Sequence, residues 1–136
     1  MIKFILGIVV TISLIGIYGC SDKKESANKK KEEIVQLIKA YRGGEVFFNQ
    51  NNLVLAKANY ESTIALDDIQ ISIKYLGGPI GYNFIIECRH HNKCINDRYT
   101  DGQKDTVSSF ITGGSIDPQD GKKLNKLIKE VQKDSE

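Results

Sequence analysis

Two stretches with the apolar spacing of a helix bracket a long middle that has none. Ile34, Leu37, Ile38 and Tyr41 recur at i, i+3, i+4 and i+7 within Lys31–Arg42, and Gly43-Gly44 stops the run. Leu124, Leu127, Ile128 and Val131 repeat the pattern near the other end. There Asp117 is a good N-cap, Pro118 takes the first helical position and Asp120 lies in the first turn. The residues between read as short strands cut by turns. Glu45–Phe48 and Leu53–Lys57 flank Asn49-Gln50-Asn51-Asn52, a hairpin. Tyr60–Leu66 and Ile69–Leu76 flank Asp67-Asp68, and Ile69, Ile71, Ile73 and Tyr75 alternate with Gln70, Ser72 and Lys74. Gly77-Gly78-Pro79 is a turn, and Tyr82–Arg89, Cys94–Tyr99 and Thr106–Ile111 complete the set. No crossover is long enough for a parallel βαβ unit, so the expected class is α+β. It has an N-terminal helix, an antiparallel sheet or partial barrel of five to seven strands, and a C-terminal helix.

The first 19 residues behave differently. They hold 13 apolar residues and one charge, Lys3, and Phe4–Tyr18 is fifteen uncharged residues in a row. Spanning a bilayer takes about 20 apolar residues, so this is the length of a signal-peptide core. It ends in Ile17-Tyr18-Gly19-Cys20, which resembles the lipobox of bacterial lipoproteins, with Tyr18 standing where a smaller residue is usual. The resemblance implies cleavage after Gly19 and a diacylglycerol thioether on Cys20, with a third chain such as palmitate on its amine. Two or more chains hold a protein on a membrane stably. Ser21 after the cysteine, in place of Asp, implies the outer membrane. The polar run Ser21–Lys31 shows no apolar period and reads as a flexible tether, leaving 32–136 as a single domain.

Within that domain, Leu66-Asp67-Asp68-Ile69, the strand Tyr82–Cys88, Lys93-Cys94-Ile95, Ser108-Ser109-Phe110 and the Lys-rich last helix resemble small Gram-negative lipoproteins. Strands closed by a C-terminal helix also resemble the pleckstrin-homology-like architecture. A cystatin-like sheet wrapped on its first helix is the competing likeness. Neither carries a catalytic motif.

Cys88-Arg89-His90-His91-Asn92-Lys93-Cys94 is the densest constellation of reactive side chains, and three readings apply to it. An exported chain with Cys20 acylated has two thiols left, and opposite positions of a hairpin bring Cys88 and Cys94 within disulfide reach. Cys88, His90, His91 and Cys94 are also the four ligand types of a zinc site, although neighbouring strand residues point to opposite faces. In the third reading both thiols stay reduced. The disulfide is the expectation taken forward, with no metal and no cofactor.

His90 and His91 are the two histidines of the chain, so histidine-based catalysis would have to use this loop. No nucleophile elbow, H-E-x-x-H, Walker loop or G-x-G-x-x-G occurs. Asp67-Asp68 reads as a turn, and Asp105-Thr106-Val107 matches a loose O-glycosylation pattern of exported proteins. Tyr75, Tyr82 and Tyr99 with Arg89 and Arg98 would form a binding patch if they shared a face. The net charge of +2 argues against nucleic acid as a partner. The expected role is a non-enzymatic, membrane-tethered binding or assembly module, held by its N-terminal lipid and meeting a protein partner in the envelope. A structural or inhibitor-like lipoprotein, or a small enzyme using His90 or His91, is the alternative.

Overall fold

A computed structural model describes residues 15–77, 81–90, 93–111 and 115–135. The leader before Ile15, the Gly78-Pro79 turn and His91 lie outside them. The chain runs α1 (Ile15–Arg42), β1 (Glu45–Asn49), β2 (Asn52–Lys57), β3 (Tyr60–Ala65), a 3₁₀ turn (Leu66–Asp68), β4 (Ile69–Tyr75), β5 (Tyr82–Cys88), β6 (Ile95–Tyr99), β7 (Lys104–Val107), β8 (Ser109–Ile111) and α2 (Pro118–Asp134). This is the expected α+β class. All pairings are antiparallel, in one sheet ordered β1-β2-β3-β6-β7 and another ordered β4-β5-β8.

Eight strands arise from seven sequence runs because the last run divides at Ser108. Its first half, β7, pairs with β6, and its second half, β8, pairs with β5. Ser108 gives its carbonyl to the Cys88 amide at 2.8 Å instead of joining either ladder. The strands therefore follow one curved path, β1-β2-β3-β6-β7 and on through β8 to β5 and β4, without closing. The gap between the free edges β1 and β4 is filled by the helices: α1 packs on β1, α2 on β4, and the two helices on each other. An open edge that meets a helix is protected from pairing with another chain.

Inward-facing residues form one core. Val46, Leu53, Leu55, Ile64 and Ile95 come from the larger sheet, Ile69, Ile71, Phe84 and Ile86 from the smaller. Ile34 and Ile38 of α1 and Leu124, Leu127, Ile128 and Val131 of α2 meet them. The α2 stripe read from sequence is buried throughout, and in the α1 stripe Ile34 and Ile38 are buried while Leu37 and Tyr41 pack half-buried against the core. Asp117 caps α2 by accepting from the Gln119 amide at 2.8 Å, with Pro118 behind it.

Helix α1 begins well before Lys31. Residues 21–31, read as a flexible tether, are helical, and the side chains of 22–26 are exposed. Lys, Glu and Ala extend a helix at low cost once the packed turns around Ile34 and Ile38 have nucleated it. Charge pairs then hold the polar part: Lys30 meets Asp134 at 2.9 Å and Glu130 at 3.6 Å across the helix pair. Lys123 pairs with Glu33, and the Tyr41 hydroxyl donates to Asp120.

Three passages between the sheets meet at one corner: the 3₁₀ turn, the segment after Cys88 and the bend at Ser108. Gln132 of α2 is buried there. Its amide nitrogen donates to the carbonyls of Leu66 at 2.6 Å and Ile69 at 2.9 Å, and its oxygen accepts from Arg89. Arg89 in turn donates to the Ile69 carbonyl at 3.0 Å, and its amide to the Asp68 carbonyl at 2.7 Å.

Gln132→Ala removes both donors from buried carbonyls, and the expected loss is about 2–3 kcal/mol in urea unfolding. Gln119→Ala, at an exposed position of the same helix, is expected to stay within about 0.5 kcal/mol. The helix pair also carries a pH dependence. The hydrogen bond to Asp120 holds the Tyr41 hydroxyl above its ordinary value, the one to Asp134 does the same for Lys30, and the one to Glu33 for Lys123. Groups raised in the folded state contribute fully below their unfolded values and lose that contribution as pH rises through the folded ones. The urea midpoint is therefore expected to hold from pH 7 to 9 and to fall above about pH 10. Tyr41→Phe should flatten part of that fall; an unchanged profile would exclude the contact.

Candidate functional site

The residues named from sequence are dispersed. Cys20 falls in the first turns of α1. Cys88 and Cys94 are joined in a disulfide with Cα atoms 5.8 Å apart, but they are not partners across a hairpin. Cys88 ends β5 and pairs in register with Ile69, whereas Cys94 precedes β6 of the other sheet. The bond therefore staples the corner between sheets. Cys88 is buried, its Sγ accepts from the Cys94 amide at 3.0 Å, and the zinc and free-thiol readings lose their sulfurs. His90 is exposed beside it.

Asp67 and Asp68 are exposed in the 3₁₀ turn, and Asp68 serves the corner through its backbone carbonyl. The proposed aromatic patch does not assemble as a unit. Tyr75 and Tyr82 are register partners in the smaller sheet with ring centroids 5.1 Å apart, while Tyr99 pairs with Tyr60 in the larger sheet at 6.2 Å. Arg89 is held at the opposite end of β5, and Arg98 lies opposite Glu61 on the face of the sheet away from Tyr99. Asp105 folds back onto the Thr106 amide at 2.7 Å. Among the described residues no group of three or more His, Cys, Asp or Glu is placed to hold a metal ion.

Sequence reading passed over a groove of about 770 Å³ between α1 and the β1–β2 hairpin. One wall is Asn28, Glu32 and Gln36, at i, i+4 and i+8 and so aligned along one side of the helix. The facing wall is the hairpin, with Phe47, Gln50 and Asn52, and Val35 and Phe48 lie between. Phe47 is 42% exposed although it is aromatic and sits on a strand. The signal available in the sequence was the run of four carboxamides, Asn49 to Asn52, which served only to mark a turn.

The hairpin tip is held rigidly. Lys31 donates to the Gln50 carbonyl and to Asn51 Oδ1, both at 2.9 Å, and lies 5.4 Å from the centre of the Phe48 ring. Asn51 donates to Ser135 at 3.1 Å, and its carbonyl accepts from the Leu66 amide at 3.2 Å. Both helices and the 3₁₀ turn thus fix one two-residue turn. Gln50 adopts φ +55 at the first loop position, where a two-residue hairpin favours glycine. A side chain retained in that conformation costs of order 1 kcal/mol and often marks a functional site.

A second surface is electrostatic. Lys122, Lys126, Lys129 and Lys133 are exposed on the side of α2 opposite its core stripe. Residues 32–117 instead carry eight Lys or Arg against eleven Asp or Glu. The small net charge therefore hides a segregation of sign.

No family model, curated protein or solved structure matches this chain.

For the disulfide, closing a loop of about seven residues contributes roughly 2.4 kcal/mol on the chain-entropy account. The double variant Cys88→Ala, Cys94→Ala is expected to lose about that much in urea unfolding. Reductant should lower the stability of the parent chain toward the variant and leave the variant unchanged.

Proposed function

We propose that this chain is a lipid-anchored envelope protein, held to the outer membrane through Cys20, that works as a non-enzymatic binding module. The observation that carries the reading is the continuity of α1. The same helix that contains Cys20 forms one wall of the groove from Asn28 onward. Eight helical residues span about 12 Å, so an acylated Cys20 would hold the groove close above the bilayer surface. An eleven-residue tether would reach about 36 Å if extended, but as a helix it is a leg of about 16 Å. Among the described residues no helix is long and apolar enough to cross a membrane, so attachment in this reading rests on the lipid. Binding fits the groove better than catalysis does, because its lining is mainly carboxamides and apolar side chains, and its one carboxylate, Glu32, is exposed with no hydroxyl or thiol nucleophile among the described lining residues.

The lysine face of α2 favours a second reading, a structural envelope lipoprotein. Each Lys brought to an anionic lipid surface contributes about 1 kcal/mol, so the four outward lysines would hold the domain against the membrane.

Mass spectrometry of the N-terminal peptide from the native membrane tests the anchor. The expected species begins at Cys20 and carries acyl chains, and Cys20→Ser is expected to release the protein from the membrane fraction. A chain that retains Met1, or an unacylated Cys20, overturns the proposal.

A further inference from the structure

The groove between α1 and the β1–β2 hairpin has the chemistry of a sugar site, and we infer that it binds a chain of neutral sugars. This rests on the reading of the chain as a binding module and names the ligand class of that site. Sugar hydroxyls need donors and acceptors side by side, and a carboxamide supplies both within one side chain. Five carboxamides line this groove: Asn28 and Gln36 on the helix, and Gln50, Asn51 and Asn52 on the hairpin, of which Asn51 is already bonded to Lys31 and Ser135. Val46 and Phe48 of β1 face the core and α1, so Phe47 between them projects from the opposite face of the strand, and the apolar floor of the groove is Val35 and Phe48.

Charge excludes the anionic classes. Among the described residues the groove is lined by one cation, Lys31, which gives two of its three donors to Gln50 and Asn51 and stands over Phe48, and Glu32 beside it carries the opposite sign. Among the described lining residues Lys31 and Glu32 balance, so the groove carries no net positive charge to attract a phosphate or carboxylate. Shape points the same way. The helical wall from Asn28 to Gln36 runs eight residues, about 12 Å, which matches two to three sugar rings.

The conformation of Gln50 gives the inference its sharpest test. Glycine would relax the turn, so a side chain kept at φ +55 in a turn fixed by Lys31 and Ser135 is a cost that ligand contact can offset. Gln50→Gly should therefore leave the fold at least as stable while weakening binding.

Calorimetric titration of the full chain in detergent micelles uses two probes, N-acetylglucosamine tetramer and cellotetraose, which separate acetamido chains from plain glucans. The parent chain is expected to bind at least one at millimolar affinity or better. Gln50→Gly is expected to weaken that binding at least ten-fold with an unchanged or higher melting temperature, and Asn28→Ala at least five-fold. Failure of the parent chain to bind either probe, equal binding in both variants, or tighter binding of a sulfated glucan would overturn the inference. A photocrosslinker at Gln36 in the native membrane then separates the two failures. Crosslinks to a non-sugar ligand would leave the groove as a binding site and remove the sugar, and no crosslink would remove both.

Discussion

Gln132 stands where a half-open barrel would otherwise come apart. The chain leaves the larger sheet at Leu66 and enters the smaller one at Ile69, and both carbonyls point away from any ladder. A buried carbonyl without a donor costs more than an ordinary hydrogen bond returns. One carboxamide, delivered by the last turns of α2, satisfies both and positions Arg89 for a third bond. Helix α2 is thus tied to the strands by polar bonds at one end, at the corner, and by apolar contact along its length.

From this corner the rest follows. The Cys88–Cys94 bond and the bend at Ser108 join the same two sheets within a few residues of it. With the corner fixed, the edges β1 and β4 are left for the helices to cover. The antiparallel helix pair then presses α1 against the hairpin tip, and the groove is the space left between them. The corner and the groove share Asn51, whose carbonyl meets Leu66 while its side chain meets Lys31 and Ser135. Deformation of the corner would therefore be felt at the site.

Much of the fold was legible because it is local. Alternation from Ile69 to Tyr75 placed a strand and its inner face, and Asp117-Pro118 placed the start of α2. The polar run before Lys31 misled because apolar period reports packing, and this stretch is a helix that does not pack with apolar residues. The ion pairs it makes, from Lys30 to Glu130 and Asp134, reach about a hundred residues along the chain. The groove was illegible for a related reason. Asn28 and Gln50 are ordinary polar residues in the sequence, and only the docking of hairpin on helix makes them neighbours.

The sequence by itself determined the class of fold, the two apolar helix stripes and the cap of α2. All of these depend on residue type and spacing within one element. Tertiary structure decided which sheet each strand joins, that Cys88 and Cys94 bond and bridge sheets instead of a hairpin, and that five carboxamides converge around Val35 and Phe48. Those depend on contacts between residues far apart in the chain, and no period within a single element encodes them.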